Sequence, residues 1–166
     1  NKKIMIVLGD HVFCSDAKNV FCINLTTDTY VWQYELQFPG YTILSNVYET
    51  KISSFLGYYK NHLLIALSND HVLSISSLTG KLNWQLPNTN NSESIENADH
   101  FPSAISFVVY EETGKLFSFS NNRYIEIDIE TGAIIMYINE YYKMDNAYKV
   151  KFDQNSTGFC KIEDSI

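Results

Sequence analysis

The sequence has few cationic residues and a single arginine. Its 166 residues include 19 Asp and Glu against 12 Lys and Arg, which gives a net charge of -7, and the one arginine is Arg123. A nucleic-acid-binding surface needs clustered Lys and Arg, and no apolar run reaches the roughly 18 residues of a membrane-spanning helix. We therefore expect neither a nucleic-acid partner nor direct membrane insertion by this segment.

Sequence motifs that carry catalysis are also missing. There is no G-x-S-x-G, no glycine-rich phosphate loop and no calcium-loop spacing of carboxylates, and the three cysteines fit no zinc motif. An Asp-His dipeptide occurs three times, at Asp10-His11, Asp70-His71 and Asp99-His100. Adjacent residues on a strand point to opposite faces, so such a dipeptide does not make an interacting pair. We expect no catalytic residue, no cofactor and no metal, and we interpret His62 as a turn residue.

A segment of the sequence recurs three times at a constant interval. The copies are VFCINLTTDTYVW at 20–32, VLSISSLTGKLNW at 72–84 and YIEIDIETGAIIM at 124–136, each 52 residues after the one before. Isoleucine occupies one register position in all three copies, at Ile23, Ile75 and Ile127. A fixed period of this size is typical of a repeat architecture.

Each copy predicts two strands around a tight turn. Apolar and polar residues alternate before the turn, which indicates a strand with one buried face. The turn carries Gly80 and Gly132 in the later copies, and glycine adopts positive φ without a Cβ penalty. In the first copy the residue is Asp28, one of the few types that tolerate that conformation. The next strand ends on a large apolar side chain that we interpret as a repeated packing position: Trp32, Trp84 or Met136.

Two more strands precede each copy, so each unit has about four antiparallel strands, and no helical periodicity is evident. We predict the first of these strands at 4–8, 52–56 and 104–109, and the second at the equivalent positions 12–14, 64–66 and 116–118. Four-stranded units of this length are typical of β-propeller blades. We predict an all-β, partial β-propeller with blades at about 4–38, 52–87 and 104–140, and the start of a fourth at 158–162. The chain is then either a piece of a larger propeller, which we favour, or three sheets that close in a smaller, irregular way.

For several side chains the sequence allows two structural interpretations. Cys14 and Cys22 can form a disulfide across neighbouring strands or be two small buried residues, and we favour burial, while Cys160 has no evident partner. The tyrosine pairs at 58–59 and 141–142 are interpreted as filling gaps between blades rather than as an exposed patch. Three sequons make N-glycosylation possible, at Asn24, Asn90 and Asn155.

The pattern apolar-x-x-Ile/Leu-x-x-x-Thr-Gly-x-x-x-Trp resembles the PQQ-like, or quinoprotein-type, propeller repeat. The second copy, with Ile75, Gly80 and Trp84, is the best match, whereas Asp28 and Met136 depart from the pattern. The resemblance covers nearly the whole chain and concerns the fold more than the function. A quinoprotein dehydrogenase would need a calcium-binding carboxylate set and, commonly, a vicinal Cys-Cys pair, and the sequence has neither. We therefore expect a protein that is not an enzyme.

Among non-catalytic proteins with such repeats, the chain is most similar to the luminal propeller of the largest subunit of the endoplasmic reticulum membrane protein complex. The similarity lies in the order of features: Gly80 to Trp84, then Leu86-Pro87, a polar acidic loop, and a less regular blade ending in Met136. It implies a location in the lumen and a scaffold role, with protein subunits or client polypeptides as partners. Alternatives are a luminal unfolded-protein stress sensor and a bacterial outer-membrane assembly scaffold.

Overall fold

Three antiparallel sheets of four strands each make up most of the computed structural model. The structure describes residues 2–37, 41–43, 46–87, 102–120, 123–139, 150–152 and 160–162. In this part of the chain the only helical element is a single 3-10 turn, Ala104–Ser106. The dominance of strands follows from the alternating apolar pattern, which buries one face of each strand.

The first sheet is an up-and-down meander in which each strand pairs with the next one in sequence. Its strands are β1 (Lys3–Leu8), β2 (His11–Ser15), β3 (Asn19–Asn24) and β4 (Thr29–Glu35). Short turns between neighbouring strands allow this antiparallel order.

The second sheet repeats the meander. Its strands are β7 (Ile52–Tyr59), β8 (His62–Leu67), β9 (Val72–Ser76) and β10 (Leu82–Leu86). Before it, β5 (Tyr41–Ile43) and β6 (Asn46–Tyr48) pair as a small two-stranded sheet.

The third sheet has the same order of strands. Its strands are β11 (Phe107–Tyr110), β12 (Lys115–Ser120), β13 (Arg123–Asp128) and β14 (Ile134–Asn139). A second two-stranded sheet follows, in which β15 (Val150–Phe152) pairs with β16 (Cys160–Ile162). The strand β16 coincides with the segment in which we predicted a fourth unit to begin.

Each four-stranded sheet has a β-bulge at the same place in its last hairpin. The register shifts between Cys22 and Ile23 in the first sheet, between Leu82 and Trp84 in the second, and between Glu126 and Ile127 in the third. The extra residues are Val31, Asn83 and Ile135, so the bulge itself follows the 52-residue period. A bulge re-aims the side chain beside it, and here that side chain is Trp32, Trp84 or Met136.

Two hydrophobic cores lie between consecutive sheets. The first joins the first and second sheets, and its buried members include Phe13, Val20, Leu63, Leu73 and Ile75. The second joins the second and third sheets, and its buried members include Leu64, Val72, Leu116, Ile125 and Ile127. The middle sheet is thus covered on both faces, because alternate residues of its strands enter different cores.

The tyrosine pair at 58–59 illustrates this alternation. Tyr58 packs against the first core and Tyr59 against the second, so these two side chains do fill gaps between sheets. The pair at 141–142 lies outside the described residues.

Two details of the sequence prediction are wrong. The first concerns the strand expected at 104–109, because its first three residues form the 3-10 turn. The second concerns the register of β8, in which Leu63 pairs with Ile75 just as Val12 pairs with Ile23. The strict 52-residue period aligns Val12 with Leu64 instead, so the second unit is shifted by one residue there.

Candidate interaction surfaces at the sheet faces

The turn between the last two strands of each unit is held by a side chain at its start. Asn24 Oδ1 accepts a hydrogen bond from the backbone N–H of Thr27 at 2.9 Å. The equivalent acceptors in the later units are Ser76 Oγ, 3.3 Å from Thr79 N, and Asp128 Oδ1, 2.9 Å from Thr131 N. Short polar side chains form such turns by bonding to the backbone two or three residues onward. The threonine hydroxyl adds to the turn in each copy: Thr27 Oγ1 donates to Asn24 Oδ1, Thr131 Oγ1 donates to Asp128 Oδ1, and Thr79 Oγ1 accepts from the backbone N–H of Lys81.

Trp32 crosses from the first sheet to the turn of the second. Its Nε1 donates a hydrogen bond to the carbonyl oxygen of Ser77 at 3.0 Å. Its ring lies over Gly80, where an added Cβ would be 2.6 Å from the nearest ring atoms. Gly80 also has φ of +69°, so glycine is required here both by the backbone conformation and by the space under the indole.

Trp84 makes the same contact one unit further along. Its Nε1 donates to the carbonyl oxygen of Ile129 at 2.8 Å, and its ring lies over Gly132. In both cases donor and acceptor are 45 residues apart in sequence. The repeated tryptophan therefore connects consecutive sheets, and its ring packs on the repeated glycine of the next sheet.

Polar contacts reinforce the junction of the second and third sheets. Asp70 Oδ1 accepts hydrogen bonds from Ser103 Oγ at 2.9 Å and from the backbone N–H of Ala104 at 3.1 Å. Lys60, in the turn before β8, forms an ion pair with Glu130 in the last turn of the third sheet. Asp70 thus has a structural partner in the next unit, which gives the Asp70-His71 dipeptide a role in packing.

One face of the first sheet packs against no other four-stranded sheet among the described residues. Residues directly opposed in an antiparallel pair share a face, and the pairs Val7–Val12, Cys14–Phe21 and Ile23–Tyr30 lie on the side away from the second sheet. We call this surface the first outer face. Its members are Ile4, Val7, Val12, Cys14, Asn19, Phe21, Ile23, Tyr30, Gln33 and Glu35, and of these Val12, Cys14 and Phe21 are buried. Ile4 is 72% exposed and Val7 is 51% exposed.

A lysine lies on the first outer face. The Nζ atom of Lys2 is 4.2 Å from the centre of the Phe21 ring and 4.6 Å from that of Tyr30. It also bonds to the hydroxyl of Tyr30, and this hydrogen bond raises the pKa of Lys2 above its usual range. The first outer face therefore has a lysine held over two aromatic rings, and it also carries the carboxylate of Glu35, which pairs with Asn19.

The third sheet leaves the opposite face uncovered among the residues that the structure describes. We call this surface the third outer face, and its members are Val108, Tyr110, Lys115, Phe117, Tyr124, Glu126, Asp128 and Met136, which the strand pairings place on one side. Phe117 stacks on Tyr124 with ring centres 6.3 Å apart. Met136 is 44% exposed.

Charged groups lie in the middle of the third outer face. Lys115 Nζ is 3.9 Å from Glu126 Oε1 and 3.7 Å from Asp128 Oδ2. Burial raises the pKa of Asp128, but hydrogen bonds from Thr131 and the nearby Lys115 outweigh it, so the pKa lies below its usual range. The position of Glu126 is occupied by Cys22 and Ser74 in the other units. The third outer face therefore carries two carboxylates and one ammonium group, a net negative charge.

The two cysteines of the first sheet lie on opposite faces. Cys14 pairs with Phe21 and Cys22 pairs with Phe13, so they cannot face each other. Both are buried free thiols, and burial raises the pKa of each. The disulfide alternative is therefore wrong. The side chain of Cys160 lies outside the described residues.

The histidines are dispersed over the described sheets. His62 begins β8 rather than lying in a turn, so that interpretation is wrong, and its Nδ1 is 2.8 Å from Ser74 Oγ. His71 is buried, and burial lowers its pKa. No group of three His, Cys, Asp or Glu residues in the described ranges is close enough to hold a metal ion. The third Asp-His dipeptide, at 99–100, lies outside the described residues.

Of the three sequons, the structure describes one. Asn24 ends β3, and its Oδ1 is engaged by the backbone N–H groups of Thr26 and Thr27. Asn90 and Asn155 lie outside the described residues. Glycosylation of all three remains a prediction.

Comparisons with known proteins bear on the fold. The chain matches no protein-family model, and no curated protein sequence matches it. Among solved structures, a europium-containing methanol dehydrogenase is similar at 14% sequence identity and a TM-score of 0.50, covering 81% of this chain and 24% of that chain. BamB from Moraxella catarrhalis is similar at 17% identity and a TM-score of 0.49, covering 79% of this chain and 38% of that chain.

Both similar structures are β-propeller proteins, and this chain spans well under half of the length of either. At these identities the similarity concerns the fold alone. Together with the three four-stranded sheets, the similarity to the methanol dehydrogenase confirms the predicted all-β, partial β-propeller fold. In the described part of the chain, no helix is long and apolar enough to cross a membrane.

Proposed function

We propose that this chain is a non-catalytic scaffold that acts through protein–protein contacts at its sheet faces. The observation that carries the proposal is the pair of outer faces, each with large apolar side chains held rigidly by a sheet that is packed on its other side. Exposed contiguous apolar surface marks interaction sites in soluble proteins, and rigid strands present it without an ordering cost.

The partners that fit these faces are protein subunits or client polypeptides. We further propose that the chain belongs to the luminal part of the endoplasmic reticulum membrane protein complex, where it would support the insertion and folding of membrane proteins. The support is the sequence order of Gly80, Trp84 and Leu86-Pro87, then a polar acidic loop and a blade ending in Met136.

Co-purification tests this placement. The tagged chain, expressed in the secretory pathway, is isolated from mildly solubilised membranes and the recovered subunits are quantified by mass spectrometry. We expect the subunits of the membrane protein complex in stoichiometric amounts. Recovery no greater than that obtained with an unrelated luminal protein would contradict the placement. Intact mass of the same sample reports whether Asn24, Asn90 or Asn155 carries a glycan.

Two further outcomes separate the competing functions. Tight stoichiometric binding of PQQ with calcium would overturn the non-catalytic proposal. Concentration-dependent dimerisation together with binding of unfolded peptides would favour the stress-sensor function over the scaffold.

A further inference from the structure

We propose that His62, Ser74 and Asn83 form a proton-sensitive clamp on the bulge beside Trp84, and that protonation of His62 loosens the contact between the second and third sheets. The clamp lies on the face of the middle sheet that packs on the third sheet, because Ser74 pairs with Leu64 and Trp84, which both belong to the second core. It is therefore part of the packing inside the chain. The inference goes beyond the proposed scaffold function and does not depend on the identity of a partner.

The three side chains of the clamp come from three adjacent strands. His62 begins β8, Ser74 lies in β9, and Asn83 is the extra residue of the bulge in β10. The Nδ1 atom of His62 is 2.8 Å from Ser74 Oγ, and Asn83 Nδ2 is 3.2 Å from each of these two atoms. Ser74 is fully buried, and in the part of the chain that the structure describes its hydroxyl has only these two partners. The clamp thus ties the bulge to the two strands beside it.

The other two sheets have the bulge without the clamp. Their bulge residues are Val31 and Ile135, which are apolar and 48% and 47% exposed. The position of Ser74 is occupied there by Cys22 and Glu126. Among the three four-stranded sheets, a hydrogen-bonded bulge is therefore particular to the middle one, at its junction with the third sheet.

The hydrogen bonds of the clamp require a neutral imidazole. An amide nitrogen can only donate, so the contact with Asn83 Nδ2 needs His62 Nδ1 to carry no proton. The ring proton is then on Nε2. Ser74 donates its hydroxyl hydrogen to His62 Nδ1 and accepts a hydrogen bond from Asn83 Nδ2, so every polar atom of the clamp has a partner of the right kind.

Protonation of His62 reverses this arrangement. Its Nδ1 becomes a donor, so two N–H groups face each other between His62 and Asn83, and the hydroxyl of Ser74 loses its acceptor. A buried polar group without a partner is costly, and the Asn83 amide must therefore turn or withdraw. Asn83 directly precedes Trp84, and a bulge sets the direction of the side chain beside it. The change is thus transmitted to the indole and to its hydrogen bond with the Ile129 carbonyl oxygen.

The charged groups near His62 come from both sheets of the junction. Burial lowers the pKa of His62 below its ordinary 6.5, Glu130 and Asp128 of the third unit oppose this, and Lys60 in the turn before β8 adds to it. Lys60 forms an ion pair with Glu130, so their effects on the ring largely offset each other. The clamp is therefore closed at neutral pH and opens as the pH falls through the lowered pKa of His62.

NMR spectroscopy of the whole ¹⁵N-labelled chain, titrated from about pH 8 to about pH 5.5 while the chain stays folded, tests the proposal. We expect long-range ¹H–¹⁵N spectra at high pH to show His62 with its proton on Nε2. As His62 titrates, the indole N–H resonance of Trp84 should shift with the same midpoint, and that midpoint should lie below the ordinary pKa of histidine.

Three variants separate the clamp from a general effect of acid. His62→Gln should abolish the pH response of the Trp84 indole resonance. The matched control is His11→Gln, because His11 occupies the equivalent position in the first sheet, and it should leave the response unchanged. Asn83→Asp supplies a carboxylate that accepts from the protonated ring, so it should move the midpoint to higher pH.

Three results would overturn the proposal. One is a proton on Nδ1 of His62 at high pH, and another is a ring that stays neutral until the chain unfolds. The third is an indole resonance of Trp84 that remains constant while His62 titrates, or that responds to pH equally in His62→Gln.

Discussion

The indole nitrogen of Trp84 donates a hydrogen bond to the carbonyl oxygen of Ile129 at 2.8 Å across the junction of the second and third sheets. Trp32 repeats the contact with Ser77 at 3.0 Å across the preceding junction. The 52-residue period of the sequence therefore applies to the contacts between sheets as well as to the strands within each sheet.

Trp84→Ala should lower the free energy of unfolding by roughly 3–5 kcal/mol, because it removes a large packed side chain and leaves a cavity between two sheets. Trp84→Phe should lower it less, by about 1–3 kcal/mol, since it keeps an aromatic ring but leaves the Ile129 carbonyl oxygen without this donor. Urea unfolding followed by circular dichroism measures both. A loss below about 1 kcal/mol for the alanine variant would show that the indole does not carry the junction.

Gly132→Ala should destabilise the chain more than Gly9→Ala. Both glycines have positive φ, +73° and +57° respectively, so each alanine brings a backbone penalty of about 1–2 kcal/mol. At Gly132 the added methyl group would also lie 2.6 Å from the Trp84 ring, whereas at Gly9 it meets nothing within 4 Å. Overpacking adds about 1–3 kcal/mol. Equal losses in the two variants would contradict the close approach of Trp84.

Cys14 and Cys22 should react slowly with thiol reagents in the folded protein, because both are buried and burial raises the pKa of each thiol. Only the thiolate is nucleophilic. Since the folded pKa is raised, the unfolded state releases these protons first, and stability should fall as the pH rises above about 9. Cys14→Ala with Cys22→Ala should reduce that fall. A melting temperature that reducing agent lowers would instead indicate a disulfide.

His71 should make the protein less stable in mild acid. Burial lowers its pKa below the ordinary 6.5, so the unfolded chain binds a proton at a higher pH than the folded chain does. Its contribution to stability is complete above about pH 6.5 and is lost as the pH falls towards the folded pKa. His62 has a pKa shifted in the same direction by burial. Unfolding measured across this range should show a shallower slope for His71→Asn; an unchanged slope would exclude this histidine as the cause.

The sequence predicts the strands well because their signals are local. Each signal lies within a few residues of the strand or turn that it predicts. The signals are the alternation of apolar and polar residues around Ile75 and Ile127, the glycines Gly80 and Gly132 in the turns, and the large side chain of Trp84. The prediction that the tyrosine pair fills gaps between blades is also confirmed for Tyr58 and Tyr59, which pack against different cores.

The misplaced details depend on strand pairing and on distant contacts. The shift of Leu63 comes from the turn between β8 and β9: Ala66 pairs with Val72 and leaves five residues between them, whereas Ser15 pairs with Val20 and leaves four. A fixed period cannot reveal it. The Ala104 turn is held by Asp70, 34 residues earlier. The acceptors of Trp32 and Trp84 are backbone carbonyl groups, of Ser77 and Ile129. Because every residue has such a group, the sequence could not identify them.

The sequence did not predict the two outer faces, because they too depend on how the strands pair. Glu126 and Met136 are single departures from a repeat, and their common face becomes visible only once the strands are paired.

A double-mutant cycle between Trp84 and Gly132 tests the central claim most directly, namely that the sequence repeat is a repeat of packing between sheets. The free energy of unfolding is measured for the parent chain, Trp84→Ala, Gly132→Ala and the double variant. We expect Gly132→Ala to be markedly less destabilising when the indole is absent, with a coupling energy of about 1–3 kcal/mol. Losses that add within about 0.5 kcal/mol would contradict the packing of Trp84 on Gly132.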